Sequence, residues 1–210
     1  MRAPPGEELF PWLRRSHDMP AEPLDWAEFF GNDHPVELDI GCGRGLFTWH
    51  ASEAHPEINY LGIELDYKCA RRAAAKLYKR EIPNARIIAG DARQILAKLI
   101  VPESVHAAHV YFPDPWWKKK HKRRRLFTDD FADQVAEVLE PGGLLHSWTD
   151  VEDYFEVISA LMDHHPRFET LPPPEEHTPV HDLDYRTSFE RKKRKAGKTI
   201  YRGRWKKVTS

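Results

Sequence analysis

Four carboxylates punctuate the first 114 residues of this 210-residue chain, each at the end of an apolar, strand-like run. Asp39 lies in Val36–Ile40, Glu64 closes Asn59–Glu64, Asp91 follows Arg86–Ala89 and Gly90, and Asp114 follows Val105–Phe112. The first run leads straight into Gly41-Cys42-Gly43-Arg44-Gly45. Glycines there let the backbone turn without strain and approach a ligand closely. Glu64 stands 19 residues after Gly45, the place from which an acid takes both hydroxyls of a ribose.

Dinucleotide sites favour G-x-G-x-x-G with a pyrophosphate on the helix N-terminus. Here the spacing is G-x-G-x-G, and Asp39 precedes the first glycine by two residues. A carboxylate so placed repels a pyrophosphate and suits an ammonium. S-adenosylmethionine offers an ammonium, a sulfonium and a ribose but no phosphate. In that reading Asp39, Gly41, Gly43, Gly45 and Glu64 hold the cofactor, and Asp91 takes the adenine amino group.

Asp114 differs from the other three. Pro113 and Pro115 frame it and restrict the backbone on both sides. Trp116 and Trp117 follow, then seven cations within residues 118–125. A further ten lie within residues 191–207, and neither segment contains an acid. The formal net charge of -1 hides this: 17 of the 32 Lys and Arg sit in two short stretches, against 33 acids spread over the rest. Such concentration points to a polyanion met at one face. A stiff acidic turn beside aromatic and basic residues suits a base stacked and held on that polyanion. The alternative for the basic run is a solvated charged loop, which is also the simpler reading of His121. Trp116 reads as core rather than as a stacking platform.

The elements that must position these residues alternate. Strands are predicted over residues 36–40, 59–64, 86–89, 105–112 and 144–148. Helices are predicted over 46–54, 67–81, 92–99, 129–139 (with Thr128 as N-cap) and 151–162. This alternation is the pattern of a parallel sheet covered on both faces, which binds ligands at its C-terminal strand ends. Residues 1–35 read as a lead-in laying a few aromatics on a domain formed by residues 36–210. Residues 166–180, with three consecutive prolines, read as loop, and the basic tail carries one strand-like piece near residues 199–205.

Cys42 and Cys69 form no C-x-x-C pair, and the 12 histidines lack metal-ligand spacing, so neither a disulfide nor a metal is expected. No run approaches the roughly 18 apolar residues of a membrane span, and no signal peptide opens the chain. A soluble cytoplasmic protein is expected.

With these residues assembled, the chain resembles the bacterial tRNA (guanine-N7-)-methyltransferase family, which modifies guanine 46 in the tRNA variable loop. The matching pieces are LDWAEFFGNDHPVELDIGCGRG, YLGIELD, GDA, YFPDPWWKKKHKRRRL, LEPGGLLHSWTDVEDY and the late RTSFERK with IYR. The proline-framed acid with its basic run and the TSFERK motif are specific to that family; the glycine loop is not. The resemblance implies an α/β fold, a Rossmann-like class I methyltransferase with a mostly parallel sheet and helices on both faces. It implies S-adenosylmethionine as cofactor, tRNA as partner, no membrane, no metal, and a monomer or homodimer. It adds Asp114 to the cofactor-binding acids and makes it the catalytic residue. It makes Lys118, Asp150, Thr187, Ser188, Phe189 and Glu190 substrate-binding, and Lys120, His121, Lys122, Arg123, Arg124 and Arg125 RNA-contacting. The family usually has Glu at the position of Asp39, so the carboxylate here reaches one methylene less far. Trp117 is a second aromatic where members often carry a shorter or polar residue.

Guanine N7 carries an unprotonated lone pair, so its methylation needs alignment and electrostatics rather than a general base. Asp114 would stabilise the cationic product, and Asp150 would accept from the N1 and N2 edge of guanine. Asp150 also stands where a helix N-cap would, before Val151, and Glu190 sits among cations suited to a local ion pair. Competing functions are methylation of an exocyclic amine, a nucleic-acid binding module without chemistry, and a dehydrogenase; the loop spacing and Asp39 disfavour the last.

Overall fold

Apolar runs of five to seven residues, too short for helices and rich in β-branched side chains, alternate with stretches of helical period. The computed structural model describes residues 9–20, 22–116, 124–173 and 188–209, and within the last segment all side chains except those of residues 188, 189, 191 and 195. Eight strands form one sheet: β1 (Leu13–Arg15), β2 (Val36–Ile40), β3 (Asn59–Glu64), β4 (Ala85–Ala89), β5 (Val105–Tyr111), β6 (Leu139–Thr149), β7 (Phe168–Leu171) and β8 (Tyr201–Lys207). The helices are α1 (Trp26–Phe30), α2 (Leu46–Ala54), α3 (Tyr67–Lys79), α4 (Ala92–Leu99), α5 (Asp129–Val138), α6 (Glu152–Asp163) and α7 (Ser188–Lys195).

The strand order is β1-β4-β3-β2-β5-β6-β8-β7. β8 alone runs antiparallel to both its neighbours, and the remaining pairs are parallel. The chain leaves β2 toward β3 and β4 on one side and returns to β5 on the other, so the switch point lies between β2 and β5. This is the expected Rossmann-like class I arrangement. One face buries Phe29, Phe30, Leu38 and Ile40 with residues of α4, α5 and α6. The other buries Leu9, Leu13, Phe47 and the alanine row of α3. Alternation along β2 sends Leu38 and Ile40 to the first face and leaves Glu37 and Asp39 to the second.

Local chemistry sets the helix starts. Asp66 accepts from Cys69 N at 2.9 Å, Asp91 from Arg93 N at 2.9 Å, and Thr128 from Phe131 N at 3.3 Å, the last being the N-cap expected from the sequence.

Several elements differ from the sequence expectations, among them α1 within the lead-in and a β6 that begins at Leu139 rather than at Leu144. Residues 166–180 were expected as loop, yet Phe168–Leu171 is a strand paired with β8. The lead-in supplies an edge strand, with Leu13 opposite Ile87 on β4. The basic tail contains α7 in addition to its strand.

Candidate functional site

Beyond the end of β2 the chain turns on three glycines in the left-handed region, with φ of 78° at Gly41, 56° at Gly43 and 64° at Gly45. A Cβ at Gly41 or Gly43 would meet no atom within 4 Å, so these positions leave open space in which a ligand can reach the backbone. Gly45 is different: a Cβ there would lie 2.7 Å from that of Ala73, because α2 and α3 meet at this point.

Glu64 closes the loop. Its carboxylate accepts from Gly43 N at 2.8 Å and from Asp66 N at 2.7 Å. An ionised carboxylate has about four acceptor positions, so two remain for hydroxyls. Asp39 is 3% exposed and accepts from Thr48 Oγ1 at 2.6 Å. Burial raises its pKa to about 6, against the lowering effects of Thr48 and His109, with Glu64 adding repulsion. Two carboxylates sharing one corner, one of them desolvated, form a place that a cation would relieve. Burial first, then the charges of Asp39 and Glu64, also push the Cys42 thiol well up, so it stays a thiol and no nucleophile. Asp91 is exposed at the end of β4 and caps α4 through one oxygen. The donor set and the open glycine cradle fit S-adenosylmethionine.

Across the switch point, β5 ends at Tyr111 and the chain enters the proline-framed turn. Phe112 has φ 54° and Trp116 has φ 42°, a left-handed conformation that costs a non-glycine residue roughly 1–2 kcal/mol. The turn is pinned at both ends. Phe112 N donates to Trp148 O at 2.7 Å, and Arg125 Nε donates to Pro115 O at 2.8 Å. Arg93 in turn donates to the carbonyls of Arg125 and Leu126. Asp114 stands exposed at the tip. Trp116 is half-buried, with the Arg124 guanidinium 5.1 Å above its ring.

Asp150 follows β6 directly. Its expected role as a cap of α6 does not occur: α6 starts at Glu152 without a side-chain cap, and Val151 N donates to Thr149 Oγ1 at 3.2 Å. Asp150 instead accepts from Lys193 Nζ at 2.7 Å. Glu190, 3% exposed, pairs with Arg194 one turn on at 2.9 Å, a local ion pair of the kind its neighbours implied. Ser188 and Phe189 begin α7, but their side chains lie outside the described residues. Thr187, Lys118, Lys120, His121, Lys122 and Arg123 lie outside them as well, as does Trp117.

Sequence reasoning missed two contributors: Arg93 carries no signal beyond its charge, and Lys193 was one cation among ten; for Arg125, read as RNA-contacting, it missed the bond to Pro115. Among the described residues, no helix is long and apolar enough to cross a membrane, and no cluster of His, Cys, Asp or Glu is arranged for a metal ion.

A family model described as "Putative methyltransferase" matches residues 33–203. A tRNA (guanine-N(7)-)-methyltransferase of Rhodopirellula baltica is 43% identical over 204 residues, covering 94% of this chain and 75% of that protein. A protein of the same name from Vibrio cholerae is 34% identical over 191 residues, covering 90% of this chain and 80% of its own length. Among solved structures, a point mutant of the 16S rRNA (adenine(1408)-N(1))-methyltransferase from Catenulisporales acidiphilia, with cosubstrate SAM, superposes with a TM-score of 0.61. It is 17% identical, covering 89% of this chain and 92% of that one. The aminoglycoside resistance methyltransferase NpmB1 gives 0.59 at 16% identity, covering 85% of this chain and 90% of that one. These two likenesses carry the fold. The family follows from the sequence relatives together with the glycine cradle and the pinned Asp114 turn: the chain belongs to the tRNA (guanine-N(7)-)-methyltransferase family.

Proposed function

We propose that the chain methylates N7 of guanine 46 in tRNA, with S-adenosylmethionine as donor, forming 7-methylguanosine. The observation that carries this reading is the Asp114 turn, fixed at the end of β5 across the switch point from the glycine loop, Asp39 and Glu64. Bound S-adenosylmethionine supplies a methyl group made electrophilic by its sulfonium. The chain's own residues orient and neutralise. Asp39 accepts the ammonium, Glu64 the ribose hydroxyls and Asp91 the adenine amino group. Asp114 faces the methyl group and the guanine together. Because the base becomes a cation on methylation, a fixed carboxylate there favours the transition state over the ground state. No group has to remove a proton from N7. Asp150 and α7 border the base, with Lys118, Thr187, Ser188, Phe189 and Glu190 as further substrate contacts. Lys120 to Arg125 meet the phosphates, Arg124 while lying over the Trp116 ring and Arg125 while also bracing Pro115. The reading puts the protein in the cytoplasm with its tRNA, as a monomer or homodimer, and takes residues 36–210 as the methyltransferase domain.

The test is incubation of unmodified tRNA with methyl-labelled S-adenosylmethionine, followed by nucleoside analysis. Label is expected in 7-methylguanosine and is expected to vanish from a transcript with adenosine at position 46. Label in an N2- or N6-methylated nucleoside would overturn the reading in favour of exocyclic-amine methylation.

A further inference from the structure

A string of polar side chains runs beneath the first turn of α2, on the face that holds Asp39. His109 Nε2 lies 2.8 Å from Glu37 Oε2, and its Nδ1 lies 2.9 Å from Tyr111 Oη. His109 is 5% exposed and Tyr111 8%. Asp39 and His109 are register partners on adjacent parallel strands, so their side chains leave the same face about 5 Å apart. α2 seals both: Thr48 donates to Asp39, and the adjacent Phe47 ring packs on His109 at 4.6 Å and on Tyr111 at 5.0 Å. From β6, His146 stacks on His109 at 5.1 Å.

Asp39 is thus buried and Glu37 is largely sheltered, its side chain 13% exposed, with one imidazole between their levels. Nε2 meets a carboxylate oxygen, which favours a charged ring, and Nδ1 meets a hydroxyl that can accept from it. An unpaired carboxylate at this depth is costly, and two are costlier.

We propose that His109 is a positioning residue of the methyl-donor site: held as an imidazolium between Glu37 and Tyr111, it supplies the charge that lets Asp39 stand ionised for the donor's ammonium. The electrostatics agree in direction. Burial works to raise Glu37, but its hydrogen bond to His109 and the charge of that ring bring it below the ordinary carboxylate range, with His106 and His55 assisting. The charge of His109 likewise opposes the burial of Asp39. The other titratable groups facing Asp39 are Glu64 from β3 and Cys42 from the glycine loop, and both act in the opposite direction or are neutral. The inference rests on the reading of Asp39 as acceptor of the ammonium, so its test separates the two.

Donor affinity is measured by calorimetry from pH 5.0 to 8.5 for the parent, Asp39→Asn, His109→Gln and Tyr111→Phe. The parent is expected to lose affinity as pH falls through about 6. His109→Gln is expected to move that midpoint upward by about one unit, so that binding at pH 6 weakens roughly fivefold while binding at pH 8.5 changes little. Tyr111→Phe removes one of the two oxygens facing the ring but no charge, and is expected to move the midpoint clearly less than His109→Gln. An unmoved midpoint in His109→Gln, or equal shifts in both variants, would overturn the proposal. Parent-like binding by Asp39→Asn would overturn the reading of Asp39 itself. If His109→Gln does not fold, the ¹⁵N resonances of His109 in the parent decide. Two protonated ring nitrogens at pH 6.5 support the proposal, and a neutral ring at that pH refutes it.

Discussion

Lys193 Nζ lies 2.7 Å from Asp150 Oδ2, so the charged helix α7 is tied to the C-terminal end of β6. The carboxylate is 14% exposed and the ammonium 32%, more sheltered than a surface pair whose net worth is typically below 1 kcal/mol. Asp150→Asn removes the attraction without changing size. We expect faster amide exchange across residues 188–195 and a drop of roughly tenfold in kcat/KM for tRNA. Donor affinity should stay at the parent value. Unchanged exchange in α7 would mean that other contacts hold the helix.

Glu64 binds two backbone N–H groups of the loops it joins. On the proposed reading of the site, Glu64→Ala removes the acceptors for the ribose and loosens the glycine loop together. Donor binding is expected to weaken by about 100-fold or more, each hydrogen bond to a charged group contributing roughly 1.5–3 kcal/mol. Titration calorimetry reads this directly, and affinity within threefold of the parent would remove Glu64 from the site.

The buried acid Asp39 gives a stability signature of known sign. Its folded-state pKa, about 6, lies above the ordinary 3.8. A raised acid binds more protons in the folded state, so it costs stability as pH rises through that interval. The penalty is complete above about pH 6 and amounts to roughly 3 kcal/mol at one pKa unit per 1.36 kcal/mol. Asp39→Asn is expected to stabilise the donor-free protein by up to about that amount at pH 7.5 and by nothing near pH 4. Urea unfolding at the two pH values checks it; equal effects at both would show that burial is not the cause.

The glycines of the loop should respond unequally. Gly41→Ala faces open space and pays only for its φ, about 1–2 kcal/mol. Gly45→Ala carries the same cost and in addition meets the Ala73 Cβ at 2.7 Å and its Cα at 3.3 Å, which adds about 1–3 kcal/mol for overpacking. Thermal unfolding of the pair is expected to place Gly45→Ala well below Gly41→Ala.

Asp114→Asn keeps the shape of the turn tip and removes its charge. The expected result is a fall of roughly 100-fold in single-turnover rate at saturating donor and tRNA. tRNA affinity should be nearly unchanged, since phosphate contacts supply most of it. A rate within a few-fold of the parent would reduce Asp114 to a turn residue.

Most of the site was legible because its acids close strands, and strands announce themselves by short apolar runs. β2, β3 and α2 begin and end as read from the sequence. What escaped lacks a local signal. β7 buries only Phe168, and it exists because β8 returns beside it. α7 carries no apolar stripe, and its pairs to Asp150 and within Glu190–Arg194 depend on the folded chain. Phe112 and Trp116 adopt a left-handed backbone that nothing in a non-glycine side chain foretells. Arg125 looked like one more phosphate ligand, yet its Nε supports Pro115. Glu37 and His109 stand 72 positions apart and become partners only when β2 and β5 lie side by side.

The place of β8 bears on the order in which the protein is made. It lies between β6 and β7 although both precede it in the chain, so a nascent polypeptide that has reached α6 already holds the glycine loop and all four acids but has β6 as a bare edge. Such edges recruit other strands, and large domains misassemble through them. Until residues 201–207 emerge and slot in, β7 lacks the strand it pairs with. Translation therefore completes the glycine loop and the strands that carry the four acids first, and a chain halted before Tyr201 would hold that half of the sheet with β6 still uncovered.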